Sequence, residues 1–203
     1  MPQVRRKPSQ ERGKEKVDVI LGAAKALIGE RGNDAVSMRE IAKFAGIAPS
    51  SIYQYFPDKN AIIAAIMQGY FDRMQGIAEL VIADIKDVSD VASAVDTGLD
   101  QFYQLFKDEP TLSTIWAGVQ ANTELREMDI QDSKQKAQLM AGMLCKLAPS
   151  LNKTQVRDAC FLFAHLAGTT VRLALSVGSR EGKRLMNELK TLITLRLQNL
   201  AES

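Results

Sequence analysis

A chain of 203 residues with 46% hydrophobic content is long enough for one small and one medium domain with a real core. One histidine and two cysteines speak against a metal cluster or a disulfide scaffold. No run approaches the roughly 18 apolar residues of a membrane helix. The start, Met-Pro-Gln-Val-Arg-Arg-Lys-Pro, lacks the apolar stretch of a signal peptide, so a soluble cytoplasmic protein without a membrane partner is expected.

The net charge of +2 hides an asymmetry: up to Asn60 there are eleven Lys/Arg against seven acids, leaving −2 for the remainder. Six of those eleven bases fall within the first sixteen residues, where Pro2, Pro8 and Gly13 discourage a helix. Residues 1–16 read as a flexible basic arm that orders on phosphates or reaches a minor groove, or else as a solvated tail.

Val17, Ile20, Leu21, Ala24, Leu27 and Ile28 recur at spacings of three and four, which predicts a first helix stopped by Gly32. Ser37 and Glu40 then form a capping box, so a second helix starts at Ser37, with Val36 and Ile41 stapling its entry. Ile41, Phe44 and Ala45 lie on one face of it, predicted to be buried. Small Ala42 and Gly46 make a sharp corner, and Pro49 suits the first position of a third helix. In that helix Ile52 and Phe56 point inward, while Pro49, Ser50, Tyr53 and Gln54 remain outside. Hydroxyl, amide and phenol groups there suit base edges and phosphate oxygens of a major groove. Asp58 caps the next helix, with Lys59 at its N-terminus.

Residues 17 to 66 resemble the N-terminal domain of the TetR family of bacterial transcriptional regulators. The pattern is a Thr/Ser-x-Arg-x-Ile-Ala helix, an Ala-Gly corner and a Leu/Ile-Tyr-x-Tyr/His-Phe-x-x-Lys run. Ser37, Arg39, Ile41, Ala42, Ala45, Gly46, Ile52, Tyr53, Tyr55, Phe56 and Lys59 match it. The resemblance covers about a quarter of the chain. It implies that Arg39 reaches a base or phosphate and that Ser50, Ser51, Tyr53, Gln54, Tyr55 and Lys59 lie along the groove. Ala48 and Ser50 depart from the commoner serine cap and following glycine. Ala48 cannot cap, so that helix end is expected to lean on Pro49 and the Ser51 hydroxyl.

Beyond Asp58 a long helix runs to about Asp84. Further helices are predicted at about 88–107, 110–121, 124–147, 152–177 (capped by Asn152, stopped by Gly178) and 180–200. No strand-like alternation appears, so the fold is all-α. The expected organisation is a three-helix head with a helix-turn-helix at 17–57 and a larger helical regulatory and dimerisation domain at 58–203.

Met186, Leu189, Ile193, Leu197 and Leu200 form one stripe of the last helix, which Leu185, Leu192 and Leu195 widen. Paired with the small residues Ala164, Ala167, Gly168, Val171 and Ala174 before it, this predicts either a four-helix homodimer interface or a hairpin buried in one subunit. The family resemblance implies the dimer, and with it an inverted-repeat DNA operator. It also implies a pocket for a small apolar or amphipathic inducer. The candidates are Phe102, Tyr103, Phe106, Trp116, Met140, Met143, Phe161 and His165, although each taken singly reads first as core. Cys145 and Cys160 read as buried free thiols. The chain has no phosphate loop, nucleophile elbow or close His/Cys/acid cluster, so neither an enzyme, a cofactor nor a metal is expected. The alternative to inducer control is a DNA-binding factor governed by a protein partner.

Overall fold

The computed structural model describes residues 7–201, with side chains for 13–200. Among these the chain forms nine α-helices: α1 (Lys7–Arg31), α2 (Met38–Phe44), α3 (Pro49–Ile52), α4 (Lys59–Ala83), α5 (Val91–Asp108), α6 (Thr111–Val119), α7 (Thr123–Leu147), α8 (Lys153–Ser176) and α9 (Ser179–Ala201). A 3₁₀ turn, Val88–Asp90, precedes α5. No strand occurs among the described residues, and the architecture is all-α.

The first helix corrects the reading of residues 1–16 as a flexible arm, because α1 begins at Lys7 rather than near Val17. Pro8 is its second residue, where a missing N–H costs nothing since the first turn has no carbonyl to receive it. Gly13 lowers helix propensity by about 1 kcal/mol without forbidding the helix. Residues 1–6 of the expected arm lie outside the described residues. Ile20, Ala24, Leu27 and Ile28 are buried at the anticipated spacing. Gly32 ends the helix at φ +82°, donating its N–H to the Ile28 carbonyl at 2.9 Å.

Two compact units result, and they do not follow the simple division at residue 58. The first contains α1, α2, α3, α4 up to Gly69, and the segment Pro110–Leu125 that carries α6. Here α6 packs against α1 at two glycines. A Cβ on Gly29 would lie 2.4 Å from Thr111 Oγ1, and one on Gly118 would lie 2.6 Å from Asn33 Nδ2. A side chain at either glycine would oblige Thr111 or Asn33 to shift. Leu112, Ile115, Trp116 and Val119 of α6 are buried in consequence.

The second unit comprises Tyr70–Glu109 and residues from Arg126 on. Its core gathers Val91 of α5, Ala137, Ala141 and Leu144 of α7, Val156, Ala159 and Cys160 of α8, and Leu200 of α9. Asn152 Oδ1 caps α8 by accepting from the N–H groups of Thr154 and Gln155. Gly178, at φ +87°, turns the chain into α9, and Lys190 of α9 meets Asp100 of α5 at 2.8 Å. Among the described residues, α8 is the helix long and apolar enough to cross a membrane by length and composition, with a mean hydropathy of 1.4 over 18 residues. Its Val156, Ala159, Cys160, Ala167, Val171 and Ala174 are buried within this unit.

The α8–α9 hairpin depends on Gly182, where a Cβ would stand 2.2 Å from the Ala174 carbonyl oxygen. Gly182→Ala is expected to cost about 2–3 kcal/mol in urea unfolding, in the range of overpacked core sites. Gly142→Ala, on the exposed side of α7 with open space around it, is expected to be neutral or to stabilise by up to about 1 kcal/mol.

Candidate functional site

The helix-turn-helix is built from local rules. Ser37 Oγ accepts the Glu40 N–H at 3.3 Å, and Glu40 Oε2 accepts both the Ser37 N–H at 2.9 Å and its hydroxyl at 2.7 Å. This capping box starts α2 at Met38. Val36, Ile41 and Ala42 are buried beneath it. Gly46, at φ +66°, makes the corner, with Ile47 N–H returning to the Ala42 carbonyl at 2.9 Å. Pro49 opens α3, and no side chain caps that helix, so the Ser51 hydroxyl does not take the capping role anticipated for it. Turn bonds from Gln54, Tyr55 and Phe56 carry the coil onward, which lets Ile52 and Phe56 bury together. Asp58 Oδ1 accepts the Ala61 N–H at 2.9 Å at the start of α4.

Of the candidate DNA-facing residues, Ser37, Arg39, Pro49, Ser50, Tyr53 and Gln54 are exposed, whereas Ser51, Tyr55 and Lys59 are half-buried. Two residues depart from the sequence-based picture. Phe44 stands 62% exposed instead of buried, because Ile41 and Ala42 define the inner face and a residue two or three positions on has turned to its flank. Lys59 directs its ammonium inward, donating to the carbonyl oxygens of Asn33 at 2.5 Å and Val36 at 3.0 Å. A cation on the first residue of α4 is disfavoured by the positive end of that helix, and the loop carbonyls between α1 and α2 compensate it. Spacing within the motif gave no sign of those acceptors.

In the second unit an apolar cavity of about 180 Å³, open to the surface on one side, lies among α4, α5, α7, α8 and α9. Of the proposed pocket residues, Phe102, Met140 and Met143 line it. Phe106 and Tyr103 lie elsewhere on α5, the former edge-on to Phe102 at 5.1 Å between ring centroids. Trp116 belongs to α6 of the first unit and does not line the cavity, since α6 is committed to α1. Phe161 instead borders an open groove between α7 and α8, beside Lys134, whose ammonium lies 6.0 Å from the ring centroid. His165 is half-buried with Nδ1 3.2 Å from Ser133 Oγ, and it does not line the cavity. Both cysteines are free; Cys160 is buried, which pushes its thiol up to about 12, and Cys145 is half-buried.

A charge cluster that the sequence reading passed over borders the cavity. Lys136, side chain 9% exposed, is paired with Asp132 one helical turn earlier and lies 5.4 Å from the Phe71 ring centroid. Burial raises the Asp132 carboxyl, opposed by Lys136. The i,i+4 spacing of Asp132 and Lys136 was a visible signal, but such pairs are usually solvated.

Comparison with known proteins agrees with this architecture. Residues 20–66 match the model of bacterial regulatory proteins of the tetR family, and residues 89–201 match the tetracyclin repressor-like C-terminal domain. The chain belongs to the TetR family of transcriptional regulators. It is 44% identical over 61 residues to the uncharacterized regulator YvdT of Bacillus subtilis, 30% of each chain, so that it spans under a third of that protein's length. It is 24% identical over 193 residues to YdgC of the same organism, covering 84% of this chain and 98% of YdgC. The solved structure of the fatty acid degradation regulator FadR from Bacillus halodurans superimposes with a TM-score of 0.69 at 21% identity, covering 88% and 94% of the two chains.

The capping hydrogen bonds hold the Glu40 carboxyl at about 2, well below its ordinary 4.5, with the Ser37 hydroxyl the largest cause. Its contribution is therefore complete above pH 4.5 and disappears as pH falls toward 2. Glu40→Gln should lower the melting temperature at pH 7, with the difference from the wild type vanishing near pH 2. Lys59→Met should cost about 1–3 kcal/mol in denaturant unfolding, since it strands two carbonyl acceptors, whereas exposed Tyr53→Ala should cost under about 0.5 kcal/mol.

Proposed function

We propose that this regulator is a repressor that binds an inverted-repeat operator as a homodimer and is released by a small apolar or amphipathic molecule. The observation that carries the DNA reading is the split of α3 and its following turn. Ile52 and Phe56 are buried, while Pro49, Ser50, Tyr53 and Gln54 present a continuous polar and aromatic surface with no packing role. Arg39 and the exposed Lys14 and Lys16 of α1 add positive charge for phosphate contacts.

The homodimer is supported by what α8 and α9 leave outside. Met186, Leu189, Ile193 and Leu200 are spent on the chain's own core, yet Leu162, Leu166, Leu173 and Val177 of the α8 segment and Leu192 and Leu195 of α9 remain exposed. Isolated apolar residues are ordinary on a surface, but six along two paired helices form a stripe of the kind an isologous contact covers. Two symmetry-related α3 helices would then read half-sites about 34 Å apart or a multiple of it. Small-molecule control is supported by the cavity of the second unit, since a factor governed only by a protein partner needs no such void. Release operates as a population shift, driven by unequal affinity of the molecule for DNA-competent and DNA-incompetent dimers.

Selection of bound sequences from a random DNA pool should return inverted repeats, with affinity falling steeply as salt rises. Equal affinity for selected and random DNA would overturn the specific-repressor reading. Tyr53→Ala should weaken operator binding by on the order of tenfold while leaving the sedimenting dimer unchanged. A stable monomer at micromolar concentration would overturn the homodimer.

A further inference from the structure

The cavity of the second unit is lined almost wholly by aliphatic, aromatic and thioether side chains, including Met74, Met140 and Met143, and only Lys136 among its lining residues carries a charge. At about 180 Å³ it exceeds the roughly 150 Å³ apolar cavity known to take up benzene, and three flexible methionines can reshape it around a chain. A lone lysine in such a wall would ordinarily mark an anchor for a carboxylate. Here the surrounding charge balance points the other way.

The Lys136 ammonium is already held by Asp132, and both side chains are largely withdrawn from water, at 9% and 15% exposure. Its outer side lies over the Phe71 ring. Arg172 of α8 is half-buried and lies outside that lining: its Nη1 is 3.2 Å from the place a Gly168 Cβ would occupy, and the Asp129 carboxylate supports its charge. The one charged residue of the lining is thus matched by an acid on α7. A ligand carboxylate would have to draw Lys136 away from Asp132 and leave that group buried without its counter-ion, or enter the cavity with no counter-ion of its own.

We infer that the effector of this regulator is an uncharged, chain-like apolar molecule, such as a hydrocarbon, alcohol or ester, and that the Asp132–Lys136 pair excludes the corresponding carboxylate. The inference rests on the proposal that the cavity is the inducer site, and it narrows that site to one ligand chemistry. Asp132 and Lys136 act as specificity-determining residues, the first by holding the second out of reach.

The test uses the full-length protein labelled with ¹³C at methionine methyl groups, titrated at pH 7.5 with 1-octanol and with octanoate, which is fully ionised there. Octanol should shift the methyl resonances of Met74, Met140 and Met143 saturably, with octanoate at least about tenfold weaker. Asp132→Asn, which leaves the ammonium without its partner, should narrow that gap by admitting octanoate. Lys136→Met should keep octanol binding and still refuse octanoate. Octanoate binding the wild type as tightly as octanol would overturn the inference and leave the cavity standing as an inducer site. Silence of all three methyl groups toward both probes would overturn the inducer site itself. Should either variant fail to fold, the wild-type pair of titrations still decides.

Discussion

The first unit hinges on one half-buried contact, the Lys59 ammonium between the carbonyls of Asn33 and Val36. Those two carbonyls belong to the link between α1 and α2, just before the capping box that starts α2. One cation therefore ties the beginning of α4 to the point where the helix-turn-helix is oriented. Two hydrogen bonds to a charged donor stabilise more than neutral ones, and each carbonyl would be left wanting without it. Asn33 also meets Gly118 of α6, so the same loop is where α6 and the reading head touch.

That arrangement changes the meaning of two motif residues. Lys59 matches the family pattern, and the pattern alone places it on the duplex. Its ammonium is occupied inside the protein, where it holds the start of α4 against the loop that leads into α2. Phe44 makes the opposite passage, from an assumed core residue to an exposed aromatic on the flank of α2. Helical spacing separates inside from outside reliably at the centre of a face and poorly at its edge, where a shift of one position is enough to reverse burial.

The second unit uses polarity sparingly and behind its apolar wall. Asp132 and Lys136 compensate one another at the margin of the apolar cavity, and Ser133 Oγ meets His165 Nδ1. Opposite charges in a poorly hydrated setting constrain one another strongly, which makes them useful for rejecting a charged guest as well as for holding helices together. Outside, the exposed leucines of α8 and α9 form a second apolar surface separate from the cavity.

Much of the fold was legible in the sequence, because it rests on near-neighbour rules. Ser37 with Glu40, Gly46, Asp58, Asn152 and Gly178 each act within a few residues, and they placed most helix boundaries to within a few positions. The periodicity of α9 likewise separated its buried stripe from Leu192 and Leu195. Pro8 misled at α1, since a proline forbids the interior of a helix but not its first turn. What only the tertiary structure decided was the company kept by residues distant in the chain. No local pattern shows that Gly29 and Gly118 let α6 return to α1, taking Trp116 away from the cavity, or that Lys59 finds carbonyls 23 and 26 positions back. Hydrogen bonds and close packing depend on distance in space, and sequence periodicity reports only on which side of its own helix a residue stands.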